Sequence, residues 1–159
     1  MPQLHPGDVA PAFTLQDQDG ATVSLADLRG KPVVLFFYPK ADTPGCTTQA
    51  CSLRDAEPDL SALDAVVIGM SPDKPEKQKK WADKHGIGYR LLADTDHAVA
   101  EAFGVWGTKK LYGREYDGIV RSAFVIDADG KIADAFYKVS PKDTVPKTTK
   151  ALQALGSKG

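Results

Sequence analysis

The sequence predicts an α/β protein whose central sheet is mixed and flanked by helices. Two apolar runs, 33–38 and 65–70, are too short for surface helices, and each is followed by a helical pattern. Strands that alternate with helices in this way pair in parallel. Two later runs, 122–126 and 132–137, flank an Asp-Gly turn and predict an antiparallel hairpin. Both kinds of pairing therefore occur, in a sheet with helices on both faces.

The first element along the chain is a predicted β-hairpin. Two short runs, 13–15 and 21–25, flank a polar segment whose Asp19-Gly20 ending favours a tight turn. This hairpin precedes the alternating strands and helices. The sequence therefore predicts an N-terminal β-hairpin extension.

The first long helix is expected to begin just after the first buried strand. Pro39 ends that strand, and a polar loop leads to Thr43, whose hydroxyl can cap a helix. Pro44 suits the first helical position, because the N–H that proline lacks would have no partner there. The predicted helix contains both Cys46 and Cys51.

The rest of the chain continues the alternation. A polar helix is predicted from Ser71-Pro72 to about Gly86, and a strand from 89 to 93. Asp96 is expected to cap a short helix at 97–103, and the Gly- and Tyr-rich segment after it is predicted as a loop. A final helix is predicted over about 143–155.

Length and charge narrow the function classes. A chain of 159 residues fits one domain, and its formal net charge of −1 provides no basic field for nucleic acid. The first residues have neither the charged start nor the apolar run of a signal peptide, and no apolar stretch is long enough to span a membrane. We therefore expect a cytoplasmic protein that binds neither nucleic acid nor membrane.

The two cysteines are the most informative residues in the sequence. In a reducing cytosol, a close pair such as Cys46 and Cys51 is more often catalytic, redox-active or metal-binding than structural. Cys46 falls in the first turn of its predicted helix, where unpaired N–H groups and the helix dipole favour a thiolate. The alternative is a buried cysteine that packs as a small apolar residue.

Two other cysteine chemistries fit the sequence less well. A zinc site needs about four ligands, whereas His5, His85 and His97 are far apart and form no pair at ligand spacing. A disulfide oxidoreductase of the Cys-x-x-Cys type would have two residues between its cysteines, and here four residues separate them. We therefore expect no metal and no cofactor.

The segment Pro39 to Cys46, read Pro-Lys-Ala-Asp-Thr-Pro-Gly-Cys, resembles the peroxiredoxin pattern of proline, three residues, threonine, two residues and peroxidatic cysteine. Other parts of the chain resemble the peroxiredoxin Q, or bacterioferritin comigratory protein, subfamily. These parts are Phe36-Phe37-Tyr38-Pro39-Lys40, Cys51, Leu53-Arg54-Asp55, Tyr112-Gly113 and Arg121-Ser122-Ala123-Phe124. The resemblance covers nearly the whole chain.

The resemblance implies a single thioredoxin-like domain over residues 1–159 that reduces hydroperoxides with electrons from a thioredoxin- or glutaredoxin-type donor, and it makes a monomer the expected state. Matched by position, Cys46 is the nucleophile and Cys51 the resolving cysteine. Thr43 and Arg121 position the peroxide and stabilise the thiolate, and Pro39 shields the pocket from water. Without the family resemblance, Thr43 could simply be a helix cap, and Arg121 could be an ordinary solvated strand residue. A redox sensor or holdase using the same disulfide remains the non-enzymatic alternative.

Overall fold

The computed structural model describes residues 3–111 and 113–157. Strands β1 to β9 span Thr14–Gln16, Thr22–Ser24, Val33–Phe37, Val66–Ser71, Arg90–Ala93, Trp106–Leu111, Arg114–Ile119, Ser122–Ile126 and Ile132–Phe136. Helices α1 to α4 span Pro44–Ala62, Pro75–His85, Ala98–Ala102 and Thr144–Ser157, and a 3₁₀ turn covers Leu25–Leu28. None of the helices in the described ranges is long and apolar enough to cross a membrane.

The central sheet has five strands in the order β5-β4-β3-β8-β9. Strand β3 pairs in parallel with β4, which pairs in parallel with β5. On its other side β3 pairs antiparallel with β8, and β8 with β9. The predicted mixed sheet is confirmed, and β1 and β2 form the predicted N-terminal hairpin beside it.

Alternate residues of β3 build two separate hydrophobic cores, because successive side chains on a strand point to opposite faces. One core combines Val34, Phe36 and Tyr38 with residues of α1, α2 and α4. The other combines Val33, Leu35 and Phe37 with residues of α3 and the N-terminal hairpin. Both faces of the sheet are covered, so all five residues of β3 are buried.

One predicted loop and the bounds of two predicted helices were wrong. The segment predicted as a Gly- and Tyr-rich loop contains the hairpin of β6 and β7, which turns at Gly113 with a φ of 78°; Tyr112 lies outside the described residues. Helix α2 begins at Pro75 and not at Ser71-Pro72, since Lys74 is still extended at its N-cap. Helix α3 is shorter than predicted, because His97 has a left-handed backbone with a φ of 51°.

The packing of β4 against its neighbours allows a stability prediction. A Cβ atom at Gly69 would lie 2.7 Å from Phe36 Cζ and 2.9 Å from Leu91 Cδ2, in the middle of the sheet. Gly69→Ala should therefore lower the free energy of unfolding by about 1–3 kcal/mol. Urea denaturation measures this loss, with Gly88→Ala as the matched control, because nothing lies within 4 Å of a Cβ there. Equal stability of the two variants would contradict the tight packing.

Candidate active site

The site lies where the C-terminal end of β3 meets the beginning of β8. The two strands are antiparallel and pair Phe37 with Ser122, so the residues just beyond that pair come together at one edge of the sheet. On the β3 side these are Tyr38, which is buried, and Pro39, which is half-buried. On the β8 side it is Arg121. Helix α1 begins beside this edge.

The loop between β3 and α1 is fixed by residues from the segment that connects β4 to β5. The carboxylate of Asp73 accepts a hydrogen bond from the Ala41 amide at 2.7 Å. Asp42 has a left-handed backbone with a φ of 63°, and its carboxylate lies 3.4 Å from Lys84 Nζ. Aspartate tolerates this conformation better than most residues. The loop therefore presents the first turn of α1 in a defined position.

Thr43 occupies the N-cap position of α1, as predicted, but its hydroxyl does not cap the helix. The backbone is extended there, and the side chain makes no cap hydrogen bond. The hydroxyl instead donates to the Lys40 carbonyl at 2.8 Å and so closes the loop on itself. The prediction of a side-chain cap was therefore wrong, because the tight loop offers the hydroxyl a nearer acceptor.

Cys46 is the third residue of α1 and is only 1% exposed. The guanidinium of Arg121 reaches it from β8, with Nη1 3.4 Å from the Cys46 sulfur. Gly45 makes this approach possible, since a Cβ atom there would lie 3.1 Å from Arg121 Nη2. The guanidinium therefore places a permanent positive charge and an N–H donor directly at the sulfur.

Gln49 is a site residue that the sequence analysis missed. Its amide is fully buried and accepts a hydrogen bond from Arg121 Nη1 at 2.8 Å. Its nitrogen donates to the hydroxyl of Thr144, the first residue of α4, at 3.0 Å. One guanidinium nitrogen therefore contacts both Gln49 and Cys46, and α4 fixes Gln49. A polar residue on the apolar helix face at 46, 50 and 53 was the available signal.

Aromatic side chains form the apolar side of the site. The ring of Tyr38 lies 5.1 Å from the ring of Trp81, and its hydroxyl donates to the Gln78 amide. Burial raises the pKa of Tyr38 well above its ordinary value, which keeps the phenol protonated. Tyr38 and Cys46 belong to the same hydrophobic core. Water is therefore excluded from the inner side of the cysteine.

The structure does not join Cys46 to Cys51. Both thiols are free, and Cys51 is half-buried on the same helix. Of the predicted site residues, Cys46 and Arg121 are in contact. Pro39 lies at the start of the loop between β3 and α1, and Thr43 lies at its end. Among the described residues, no three His, Cys, Asp or Glu side chains are grouped so as to hold a metal ion.

Comparison with known proteins gives one family. Residues 6–135 match the model of the AhpC/TSA family. Peroxiredoxin Bcp of Escherichia coli K12 is 53% identical over 136 residues, which cover 86% of this chain and 87% of that protein. Identity of this degree over most of both chains shows common membership.

Solved structures agree with the sequence match. Peroxidoxin BcpB from Mycobacterium tuberculosis has a TM-score of 0.86 at 38% identity and covers 96% of this chain and 98% of its own. Bacterioferritin comigratory protein from Xanthomonas campestris has a TM-score of 0.85 at 30% identity, and the match covers 89% of this chain and 90% of that protein's chain. These similarities confirm the thioredoxin-like fold. The chain belongs to the AhpC/TSA family of peroxiredoxins, in its peroxiredoxin Q subfamily, and is an enzyme of the thiol-dependent peroxidase class.

Proposed function

We propose that Cys46 is the peroxidatic residue, and the contact between its sulfur and Arg121 Nη1 at 3.4 Å carries this assignment. The Cys46 thiolate attacks one oxygen of a hydroperoxide. An S–O bond forms as the O–O bond breaks, and the second oxygen takes up a proton and leaves as water or an alcohol. Two electrons pass from sulfur to the peroxide, and Cys46 becomes a sulfenic acid.

Arg121 and Thr43 assist this step in our proposal. Charge develops on the departing oxygen, so donors fixed in position beforehand accelerate the reaction. Arg121 supplies a permanent charge, and Gln49 orients it. The Thr43 side chain lies at the N-terminus of α1 and makes no cap hydrogen bond. The N–H groups of the first helical turn are therefore not occupied by its hydroxyl. Pro39 shields the pocket from water at the end of β3.

We assign the resolving role to Cys51. Its sulfur attacks the Cys46 sulfenic acid, the S–S bond forms, the S–O bond breaks, and the oxygen leaves as water. Five helical residues rise about 7.5 Å, whereas bridged cysteines keep their Cα atoms within roughly 4.4–6.8 Å. Both cysteines lie inside α1, so the helix must open locally before they can bond.

A thioredoxin- or glutaredoxin-type dithiol then reduces the disulfide in the proposed cycle. This donor supplies two electrons and becomes a disulfide itself, which requires a reducing compartment such as the cytoplasm. Hydrogen peroxide and organic hydroperoxides are the proposed substrates. The structure of the Xanthomonas campestris relative was reported in connection with alkyl peroxide reduction, which supports the organic ones. We propose that the chain acts as a monomer.

Sustained turnover tests this function against a redox sensor built on the same two cysteines. With thioredoxin, its reductase and NADPH, the wild-type protein should consume many equivalents of hydrogen peroxide per Cys46. A sensor would react once and stop. Absorbance of NADPH at a fixed protein concentration separates the two outcomes, and omission of thioredoxin is the control. Consumption that ends after about one equivalent per chain would refute the enzyme.

Substitutions at position 43 test the role of its hydroxyl. Thr43→Val removes the hydroxyl and keeps the shape. The single hydrogen of this hydroxyl is donated to the Lys40 carbonyl, so toward the substrate its oxygen acts as an acceptor for the O–H of the peroxide. Loss of this positioning contact should slow the reaction with peroxide by roughly tenfold or more. Thr43→Ser should retain most of the rate. Thr48→Val is the matched control, because Thr48 also donates to a carbonyl in the first turns of α1, at 3.0 Å to Pro44. Stopped-flow kinetics measures all three variants, and equal rates for the two valine variants would leave Thr43 with a loop role only.

A further inference from the structure

Hydrogen bonds to α2 and to the residue before β5 hold the part of α1 that carries the cysteines. Three hydrogen bonds join this part to α2 and to the residue before β5, and we call them the α1 clasp: Trp81 Nε1 to Thr47 Oγ1 at 3.1 Å, Arg54 Nη1 to the His85 carbonyl at 2.5 Å, and the Tyr89 hydroxyl to the Ala50 carbonyl at 2.7 Å. They are spread over two turns of the helix. All three must break if these turns unwind completely.

The Tyr89 contact has a distinctive place within the α1 clasp. The Ala50 carbonyl belongs to the peptide unit that joins Ala50 to Cys51, so the phenol holds the backbone directly at Cys51. The contact is buried, where a hydrogen bond is stronger than at the surface. Burial also raises the pKa of Tyr89 well above its ordinary value, which keeps the hydroxyl protonated and able to donate.

Tyr89 is itself fixed to the sheet and does not belong to the helix. The Gln18 amide receives a hydrogen bond from the Leu91 N–H at 2.8 Å and donates one to the Tyr89 carbonyl at 2.9 Å. The Tyr89 ring meets Phe36 of β3 edge-on, with centroids 5.8 Å apart. The phenol is therefore held in place independently of α1.

We propose that Tyr89 is a positioning residue for disulfide formation: its hydroxyl holds the Ala50–Cys51 peptide unit in the helix and sets the rate at which Cys51 reaches oxidised Cys46. The inference rests on the proposed resolving role of Cys51. A slower opening leaves the Cys46 sulfenic acid exposed to a second peroxide, which oxidises it to the sulfinic acid. Tyr89 thereby also sets how much peroxide the enzyme tolerates.

Tyr89→Phe tests the proposal, since it removes the hydroxyl and keeps the ring. The Ala50 carbonyl lies inside α1, so it retains its helical partner four residues on. After rapid mixing with hydrogen peroxide, quenched samples are analysed by mass spectrometry. Disulfide formation should be roughly three- to tenfold faster, as expected from loss of one buried hydrogen bond. The rate of sulfenic acid formation should not change, and half-conversion to sulfinic acid should require more peroxide by a similar factor.

Tyr137→Phe is the matched control. The Tyr137 hydroxyl donates to the Phe103 carbonyl at 2.6 Å, on the other face of the sheet from α1. Besides that bond, this variant loses the one that the Tyr137 hydroxyl accepts from the Leu4 N–H at 2.8 Å. It should nevertheless partition between disulfide and sulfinic acid as the wild type does. An unchanged disulfide rate in Tyr89→Phe, or equal acceleration in Tyr137→Phe, would overturn the inference. Absence of a Cys46–Cys51 disulfide in every protein, wild type included, would instead refute the resolving role of Cys51 and the inference with it.

Discussion

Cys46→Ser should reduce peroxide turnover to the rate measured without enzyme. A serine hydroxyl is not ionised near neutral pH and is a weak nucleophile without a general base. The side chain that contacts Cys46 is Arg121, which stays protonated and cannot act as that base. The substitution is close to isosteric, so Arg121 and Gln49 should keep their positions. Oxidation of NADPH in the presence of thioredoxin and its reductase measures the loss.

Cys51→Ser is the comparison that separates the two cysteines. This variant keeps Cys46 and Arg121, so it should react with the first equivalent of peroxide at the wild-type rate. It should then accumulate sulfenic and sulfinic acid at Cys46 and lose most thioredoxin-dependent turnover. Mass spectrometry of Cys51→Ser should find sulfenic acid after one equivalent of peroxide and sulfinic acid after further equivalents, and Cys46→Ser should show neither product at position 46. Wild-type turnover by Cys46→Ser would contradict the central assignment.

The strands and helices of the main sheet were predictable from the sequence because each has a local signal. The run 33–38 is uniformly apolar, and the structure buries it between two neighbouring strands. Pro44 marks the first position of α1 as predicted. The hairpin of β6 and β7 had no such signal, since polar residues and glycines dominate both strands and their stability comes from pairing with each other.

The contacts of the site were less accessible to sequence reasoning. Arg121 meets Cys46 across 75 positions of chain, and only the antiparallel pairing of β3 with β8 brings them together. The family resemblance identified Arg121 as a site residue, whereas the neighbouring sequence alone would have suggested a solvated residue. Gln49 was missed because its burial depends on α4, which is distant in sequence. The hydroxyl of Thr43 was assigned to the wrong acceptor because loop geometry, and not propensity, decides it.

Oxidation should unwind the first part of α1, and this is the largest conformational effect we expect. In the reduced protein the helix runs without a break through both cysteines. A disulfide between Cys46 and Cys51 is incompatible with that geometry, because the helical rise between them, about 7.5 Å, exceeds the Cα separation of a bridge. Peptide mapping of peroxide-treated protein should therefore find the crosslink within a single chain.

Hydrogen exchange measures the unwinding directly. Amides from Thr43 to about Arg54 should exchange roughly tenfold faster or more in the oxidised protein, because a segment that has lost its helical bonds opens at almost no free-energy cost. Amides of β3, which is covered on both faces, should not change. The Cys51→Ser variant treated with one equivalent of peroxide is the control, since it oxidises Cys46 without a bridge and should keep the slow exchange of the reduced form. A crosslinked protein with unchanged protection across this segment would show that the disulfide forms without unwinding, and the geometric argument would then fail.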